Sequence, residues 1–551
     1  MRNNFPVILS LIVALGAVLR LFNLVSLPPS LNWDEVSHGY NAYSILKTGK
    51  DQWGELLPIF NFRAYGDYPL PLNLYLTIPF IAVLGLSEFA IRLPHALLGV
   101  GTIIATYYFV RGFTKKENLA LLASLLVSVD PWTLFTSRFV LQSNISVFLL
   151  ASSGAFFFNR EKKKFFLPLA ILLLGLTLYS YHTTRIVSPL ILISTFAIYW
   201  KEVKLNYLSI AIIILLFVPG IYALMRPEAR ARSGVVFLLN ESASNKIVSL
   251  RQQSKLPDFT KRLFYNKATY FAWNFGGNYL DYFSPEFLFF KGGTQYQFSV
   301  PGFGVLNIAS LPFFYIGLLW LVKKAKDEKD FQLVAAWLFL APIPASITVD
   351  KFAVLRSTPM LPIPELLSAL GFFITLSYLK KIKWVLIVVY FIALAYSLET
   401  YMAKYVGDYT KNYSWSWQYG YKQIVNYAKE NYDKYDKIIV TKKYGEPHEF
   451  FLFFLAYDPA KYQDGPAVVR FYQSNWWWVD HFDKFWFVND WQVRDLVTES
   501  KQIIDCINTK CLLITSPGNY PSGPPTGEVN WSKINEVNFL DGKRSFEIYE
   551  N

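Results

Sequence analysis

Two adjacent carboxylates, Asp34 and Glu35, stand in the stretch Leu31-Asn32-Trp33-Asp34-Glu35-Val36-Ser37-His38-Gly39-Tyr40, directly after an apolar run. A carboxylate can take the proton from an attacking hydroxyl, and an acidic pair beside a membrane is costly to desolvate, which marks such a pair as a candidate site. The same residues suit a helix N-terminus, where their charge complements the dipole of an amphipathic helix running to about Lys47. The two readings are compatible. Basic groups of the kind that hold a phosphate recur further on, at Arg138, His182, Arg185 and Arg356. A guanidinium matches phosphate geometry in a fork, so carboxylates on a juxtamembrane loop with cations on helix ends suit a lipid-phosphate substrate. The plainer reading of each cation is a snorkelling anchor at the membrane interface. No Gly-rich phosphate loop is present, and the five histidines are scattered, so neither a nucleotide site nor a Cys/His metal site is expected.

The elements that position these groups are membrane helices. The chain has 551 residues, is 53% hydrophobic and 18% aromatic, and carries a formal charge of +13. Its apolar residues come in runs of about 17 to 22, each long enough to cross a bilayer core. Most Lys and Arg outside the C-terminal third sit in short loops between those runs, a topological placement that argues against nucleic acid binding. Arg2 and the run to Leu24 imitate a signal peptide, but no small-residue cleavage site follows, so a retained first helix is expected.

Loop charge then sets the topology. The stretch Pro69–Leu86 is interrupted by Pro69, Pro71 and Pro79. If it lies along the interface, the basic loops at 111–116, 160–164, 201–204, 323–326 and 380–383 all fall on the same side as Arg2; if it crosses, they fall opposite. The interfacial placement gives about eleven spans, near 6–24, 92–110, 118–132, 138–158, 165–181, 186–200, 206–224, 303–322, 331–349, 357–378 and 384–400. The N-terminus is then cytosolic and everything after Tyr401 is outside. The outer face carries a first loop of about 25–91, including Arg63, Asp67 and Tyr68, then the Asp130-Pro131-Trp132 turn, Tyr181-His182-Thr183-Thr184-Arg185, a long loop with Glu286, and Asp350-Lys351 with Arg356.

Composition changes after about residue 405, which divides a transmembrane part, 1–405, from a soluble α/β domain, 406–551. Tyr421–Tyr432 and Glu446–Ala456 read as helices, Lys437–Thr441 and Lys510–Thr515 as strands. The aromatics Trp476-Trp477-Trp478, Trp486 and Trp491 suit either sugar stacking or an ordinary core. Outside the cytosol, Cys506 and Cys511 can pair in a small local disulfide.

Trp33-Asp34-Glu35-Val36-Ser37-His38-Gly39 resembles the Asp-Glu motif in the first outer loop of the protein O-mannosyltransferases and their bacterial relatives. These belong to the GT-C superfamily of polyprenyl-phosphate-sugar glycosyltransferases, which includes the lipid A aminoarabinose transferases. Tyr68-Pro69-Leu70-Pro71-Leu72 resembles the Pro-rich segment that follows in that loop, and Arg92-Leu93-Pro94-His95-Ala96-Leu97-Leu98-Gly99 the start of the next membrane helix. Ser284-Pro285-Glu286-Phe287 and Leu355-Arg356-Ser357-Thr358-Pro359 are similar to stretches of bacterial members. The resemblance covers about residues 5–400. It departs at Tyr68-Pro69-Leu70-Pro71, where mannosyltransferases have His-Pro-Pro, and at His182 and Arg185, where aminoarabinose transferases tend to have a lysine.

The resemblance implies a GT-C fold, a polytopic α-helical membrane protein with juxtamembrane helices in the first outer loop, here followed by an extracytoplasmic α/β domain in the plasma membrane setting. It implies an inverting transfer of a sugar from a polyprenyl-phosphate donor to an acceptor hydroxyl on a protein, lipid-linked glycan or envelope polymer. Asp34 is then the base or acceptor-orienting carboxylate and Glu35 its partner in acceptor binding. Loop charge puts Arg185, Arg356, His182 and Arg138 on the outer face, suited to hold the donor phosphate, and the resemblance supports a basic residue near Arg356 and Arg185; Asp67, Tyr68, Arg92 and Glu286 shape the loop or acceptor side. No metal and no cofactor beyond the lipid-linked donor is expected. The alternative from another class is a transporter or flippase of lipid-linked sugars, which uses the same cations but needs no external acidic pair; the internal repeat common in transporters is not evident.

Overall fold

The computed structural model describes residues 4–230, 236–379, 381–463, 465, 468–474, 476–493, 504, 506, 508–521 and 531–551. Arg2 and Lys380, both used in the loop-charge reading, lie outside the described residues. The chain forms two compact units: Met1–Phe22, Tyr68–Leu72 and His95–Lys404 make one, and Asn23–Asp67, Asn73–Pro94 and Tyr405–Asn551 make the other. Most of the first loop thus folds with the C-terminal sheet.

The first unit is helical. Every one of the eleven apolar stretches holds a helix among the described residues, among them Phe5–Leu21, Glu117–Val129, Gln142–Phe157, Thr184–Tyr199, Leu311–Lys324 and Ile363–Tyr378. Among the described residues, three helices are long and apolar enough by themselves to cross a membrane: Glu88–Thr114, Tyr207–Met225 and Lys383–Asn412. Val354–Met360 with Ile363–Tyr378 meets the same measure as a pair bent by 56°. Several others, such as the 17-residue Phe5–Leu21 and the 13-residue Glu117–Val129, fall below the ~20 residues of a full crossing. Small residues let these helices approach. A Cβ on Gly317 would strike the Leu367 carbonyl, and one on Gly371 the Phe313 carbonyl, so Leu311–Lys324 and Ile363–Tyr378 meet backbone to backbone. Buried Arg20 joins the first helix to Glu117–Val129 by donating to the carbonyls of Ser128 (2.9 Å) and Val127 (2.8 Å).

The second unit is built on a seven-stranded mixed sheet. Its strands are β1 (Lys437–Thr441), β2 (Val468–Gln473), β3 (Trp476–Phe482), β4 (Phe485–Val488), β5 (Cys511–Thr515), β6 (Ser532–Asn538) and β7 (Arg544–Glu550), in the order β2-β3-β4-β1-β5-β7-β6. The central β1 lies parallel to both β4 and β5, with Ile439 opposite Trp486 and Leu513; β1 and β5 are almost wholly buried, as strands covered on both faces must be. The helix Tyr421–Glu430 turns Tyr421, Ile424, Val425 and Ala428 inward, the spacing of a single helical stripe. Cys506 and Cys511 form a disulfide. The Pro-interrupted stretch supplies the helix Leu72–Leu84, whose 13 residues span about 20 Å, short of a ~30 Å hydrocarbon core.

Candidate functional site

The helix Trp33–Thr48 begins with a capping box. Asn32 Oδ1 accepts from Glu35 N–H at 2.9 Å, and Glu35 Oε2 accepts from Asn32 N–H at 3.2 Å. The Trp33 N–H, which no turn of the helix can satisfy, donates to Gln418 Oε1 at 3.3 Å. Successive side chains on a helix point about 100° apart, and the acidic pair divides accordingly: Glu35 is fully buried, whereas Asp34 is exposed.

Glu35 is held by Arg92. The guanidinium donates from Nε to Oε1 at 2.8 Å and from Nη2 to Oε2 at 2.9 Å. Its remaining hydrogens go to the carbonyls of Leu24, Val25 and Pro28, each at 3.0 Å, and of Ser30 at 2.5 Å. Arg92 is fully buried as well. One side chain thus gathers the loop entrance and the first turn of the helix, which fixes where Asp34 stands. Glu35 turns inward to this pair, so its carboxylate serves the loop and not an open surface.

Further along the helix, burial pushes the His38 imidazole down to about 4, with Asp67 opposing. It stays neutral at pH 7, with Asn73 Nδ2 3.0 Å from its Nδ1. Asp67 therefore faces this helix, and its carbonyl accepts from Ala64 N–H at 3.0 Å. Gly39 allows a close crossing: a Cβ there would stand 2.6 Å from Phe453 Cε2 and 3.1 Å from Ile91 Cγ2. Through this contact the helix Pro447–Phe454 brings Glu446, His448 and Glu449 to the same region. Ser37 Oγ (3.2 Å) and Gln52 Nε2 (2.8 Å) donate to Glu449 Oε1. Burial first, with the charge of Asp34 adding to it, pushes Glu449 up to about 7 against those hydrogen bonds and Arg470. Burial, Glu449 and Asp34 also hold Glu446 above the usual carboxylate range.

The expected phosphate-binding cations belong to the helical unit. Arg138 is buried and donates to the carbonyls of Leu19 and, at 2.6 Å, of Phe22, so it closes the C-terminal end of the first helix. Arg185 is also buried and donates from Nε to the Leu178 carbonyl at 3.0 Å. Arg356 is partly exposed and pairs with Asp350 at 2.5 Å, with Thr348 Oγ1 3.2 Å away. Buried Tyr282 lies within electrostatic reach of Arg356, Asp350 and Tyr181, so the turn bearing half-buried His182 and the turn bearing Arg356 converge on it. Glu286 is exposed and pairs with Lys291 at 2.5 Å. Tyr68 is half-buried in the Pro-rich segment.

Glu446, His448, Glu449 and Gln418 escape sequence reasoning. They lie about 400 residues from Asp34 along the chain, and inside an ordinary amphipathic segment nothing in their spacing announces a partner.

Three comparisons bear on this architecture. Residues 67–222 match the family model described as dolichyl-phosphate-mannose-protein mannosyltransferase. An uncharacterized protein of Aquifex aeolicus (strain VF5) is 27% identical over 153 residues, which are 27% of this chain and 29% of that protein's length. Among solved structures, ArnT from Cupriavidus metallidurans in the apo state superposes with a TM-score of 0.55 at 12% identity, covering 98% of this chain and 97% of that one. The same protein bound to undecaprenyl phosphate gives 0.53. The chain spans 63% of the Archaeoglobus fulgidus oligosaccharyltransferase, at 13% identity and a TM-score of 0.48, too low to carry weight. The chain thus shares the fold of ArnT over nearly its whole length, and residues 67–222 carry the match to the mannosyltransferase family model.

Proposed function

We propose that the chain is a membrane glycosyltransferase that moves a sugar from a polyprenyl-phosphate donor to an acceptor hydroxyl, with inversion. The observation that carries this reading is the treatment of the acidic pair. Glu35 is spent on Arg92, and the result is an exposed Asp34 held on a fixed helix start. An exposed carboxylate with a locked backbone is suited to take a proton, since positioning is most of what a general base requires.

In the proposed step the acceptor oxygen attacks the anomeric carbon, its proton passes to Asp34, and the carbon–oxygen bond to phosphate breaks. The polyprenyl phosphate leaves with the electron pair. Arg185 and Arg356, with His182, would meet the charge that grows on the leaving phosphate, a contribution larger in the transition state than in the ground state. Arg138, committed to helix carbonyls, is the least suited of the four. Asp67, Tyr68 and Glu286 would act on the acceptor side. Support for a lipid-phosphate donor comes from the shared fold with ArnT, a protein whose crystal structure holds undecaprenyl phosphate. The reading places the reaction outside the cytosol, with about eleven spans, a cytosolic N-terminus and the sheet domain outside. The flippase alternative draws nothing from the family match or the fold. The test is sugar release from a radiolabelled polyprenyl-phosphate sugar by the purified chain in detergent: release that requires an acceptor supports transfer, and an intact donor in every acceptor mixture contradicts it.

A further inference from the structure

Three side chains meet at the start of the helix Pro447–Phe454, and the proposed transfer step uses none of them. One ligand atom each from Glu446, His448 and Glu449 lies within 4.8 Å of the other two. His448 is 3% exposed and Glu449 0%, yet His448 Nε2 and Glu449 Oε2 have no hydrogen-bond partner among the described residues. Buried polar atoms left without partners forfeit their full hydration, so such a pair calls for a ligand.

The unpartnered atoms are also held in place. Glu449 is gripped through Oε1 by Gln52 and Ser37, and that oxygen stands 3.8 Å from His448 Nε2, while Oε2 keeps its bonding capacity unused. The His448 ring stands edge-on to Tyr65 with centroids 4.1 Å apart, and to Phe487 at 6.0 Å. Outer contacts of this kind orient ligands in metal sites. With its proton on Nδ1, the imidazole offers the unpartnered Nε2 lone pair to the cluster.

We propose that Glu446, His448 and Glu449 form a site for a divalent first-row transition ion, with Zn2+ the best fit. One imidazole nitrogen and two carboxylate oxygens make a mixed N/O set of three protein ligands, with one position left open. Around bonds of about 2.1 Å, tetrahedral ligand atoms stand roughly 3.4 Å apart, so the cluster must draw in by about 1 Å. Glu446, half-buried and bonded by Trp476, is the member with room to move. Lys442 and Arg470 lie within electrostatic reach of His448 and will moderate the affinity. Because Glu449 also bonds Ser37 and Gln52, the ion would tie the helix Pro447–Phe454 to the loop that carries Asp34. Scattered histidines hide such a site in the sequence, since two of its three ligands are carboxylates.

The experiment is a calorimetric titration of the full chain, purified in detergent and stripped with EDTA, with Zn2+ and separately with Mg2+. X-ray absorption then reads the zinc shell. The expected result is one saturable Zn2+ per chain, at least tenfold tighter than Mg2+, in a nitrogen/oxygen shell with one imidazole. His448→Ala and Glu446→Gln should each weaken it at least tenfold. If His448→Ala does not fold, Glu446→Gln decides alone, its fold checked by an unchanged unfolding temperature without zinc. No saturable binding, unchanged affinity in the variants, or sulfur in the shell overturns the proposal.

Discussion

Glu35→Gln keeps the shape of the side chain and removes the charge that Arg92 faces. Both partners are fully buried, and breaking a buried ion pair from one side typically costs about 3–5 kcal/mol, because the other charge stays behind unpaired. Here four carbonyls also accept from the Arg92 guanidinium, so the lower end, about 3 kcal/mol, is the expected value. The amide also weakens the capping box, because Glu35 Oε2 is the acceptor for Asn32 N–H. Since every 1.4 kcal/mol is tenfold, the local opening equilibrium of the loop should rise roughly 10²-fold. Hydrogen exchange followed by mass spectrometry reads this on peptides covering residues 24–48, with the sheet domain as an internal control. Arg92→Lys should act in the same direction, because an ammonium cannot bind in a fork. A change below about threefold in both variants would show that the pair does not hold the loop, and the fixed placement of Asp34 would lose its physical basis.

Three further outcomes follow from the same geometry. Because burial lowers His38 to about 4, the unfolded chain takes up a proton below about pH 6.5 that the folded chain refuses. Stability should therefore fall by about 3 kcal/mol as pH drops from 6.5 to 4, a loss that His38→Gln should abolish in pH-dependent unfolding and that an identical slope in both proteins would disprove. Arg356→Ala should weaken binding of bare polyprenyl phosphate and slow turnover, with Lys restoring only part; binding equal to the parent's places the phosphate elsewhere, with Lys351 the next cation to test. In a background lacking Cys506 and Cys511, a cysteine at 163 should resist labelling from outside while one in the sheet domain reacts; equal labelling would reverse the loop-charge topology.

Much of the architecture could be read from residue order because its causes are local. Apolar runs made the helices, and the strand Lys437–Thr441 is where β-branched residues cluster. The helix beginning at Tyr421 shows its stripe at i, i+3, i+4 and i+7. The capping role of Asn32-Trp33-Asp34-Glu35 was equally plain. Strands β2, β3, β4, β6 and β7 leave little trace in residue order, since Trp476-Trp477-Trp478 shows no alternation, being exposed, half-buried and half-buried in β3, and the polar β6 shows no core face. Nor could order along the chain separate Asp34 from Glu35 in role: that needed Arg92, 57 residues away. Order along the chain likewise does not distinguish Arg138, which donates to the carbonyls of Leu19 and Phe22, from Arg356, which pairs with Asp350. The convergence of Glu449 with Ser37 across 412 residues is a tertiary fact that no spacing encodes.

The most direct measurement is the rate of sugar release from a radiolabelled polyprenyl-phosphate donor by the full chain and by Asp34→Asn, each with its fold verified and its binding of the bare lipid phosphate measured. Removing a general base typically lowers the rate about 10²–10⁴-fold, so the account predicts that turnover collapses by that order while lipid-phosphate binding stays at the parent's level. Parent-like turnover in the Asn variant, or no release by the parent at all, would contradict it.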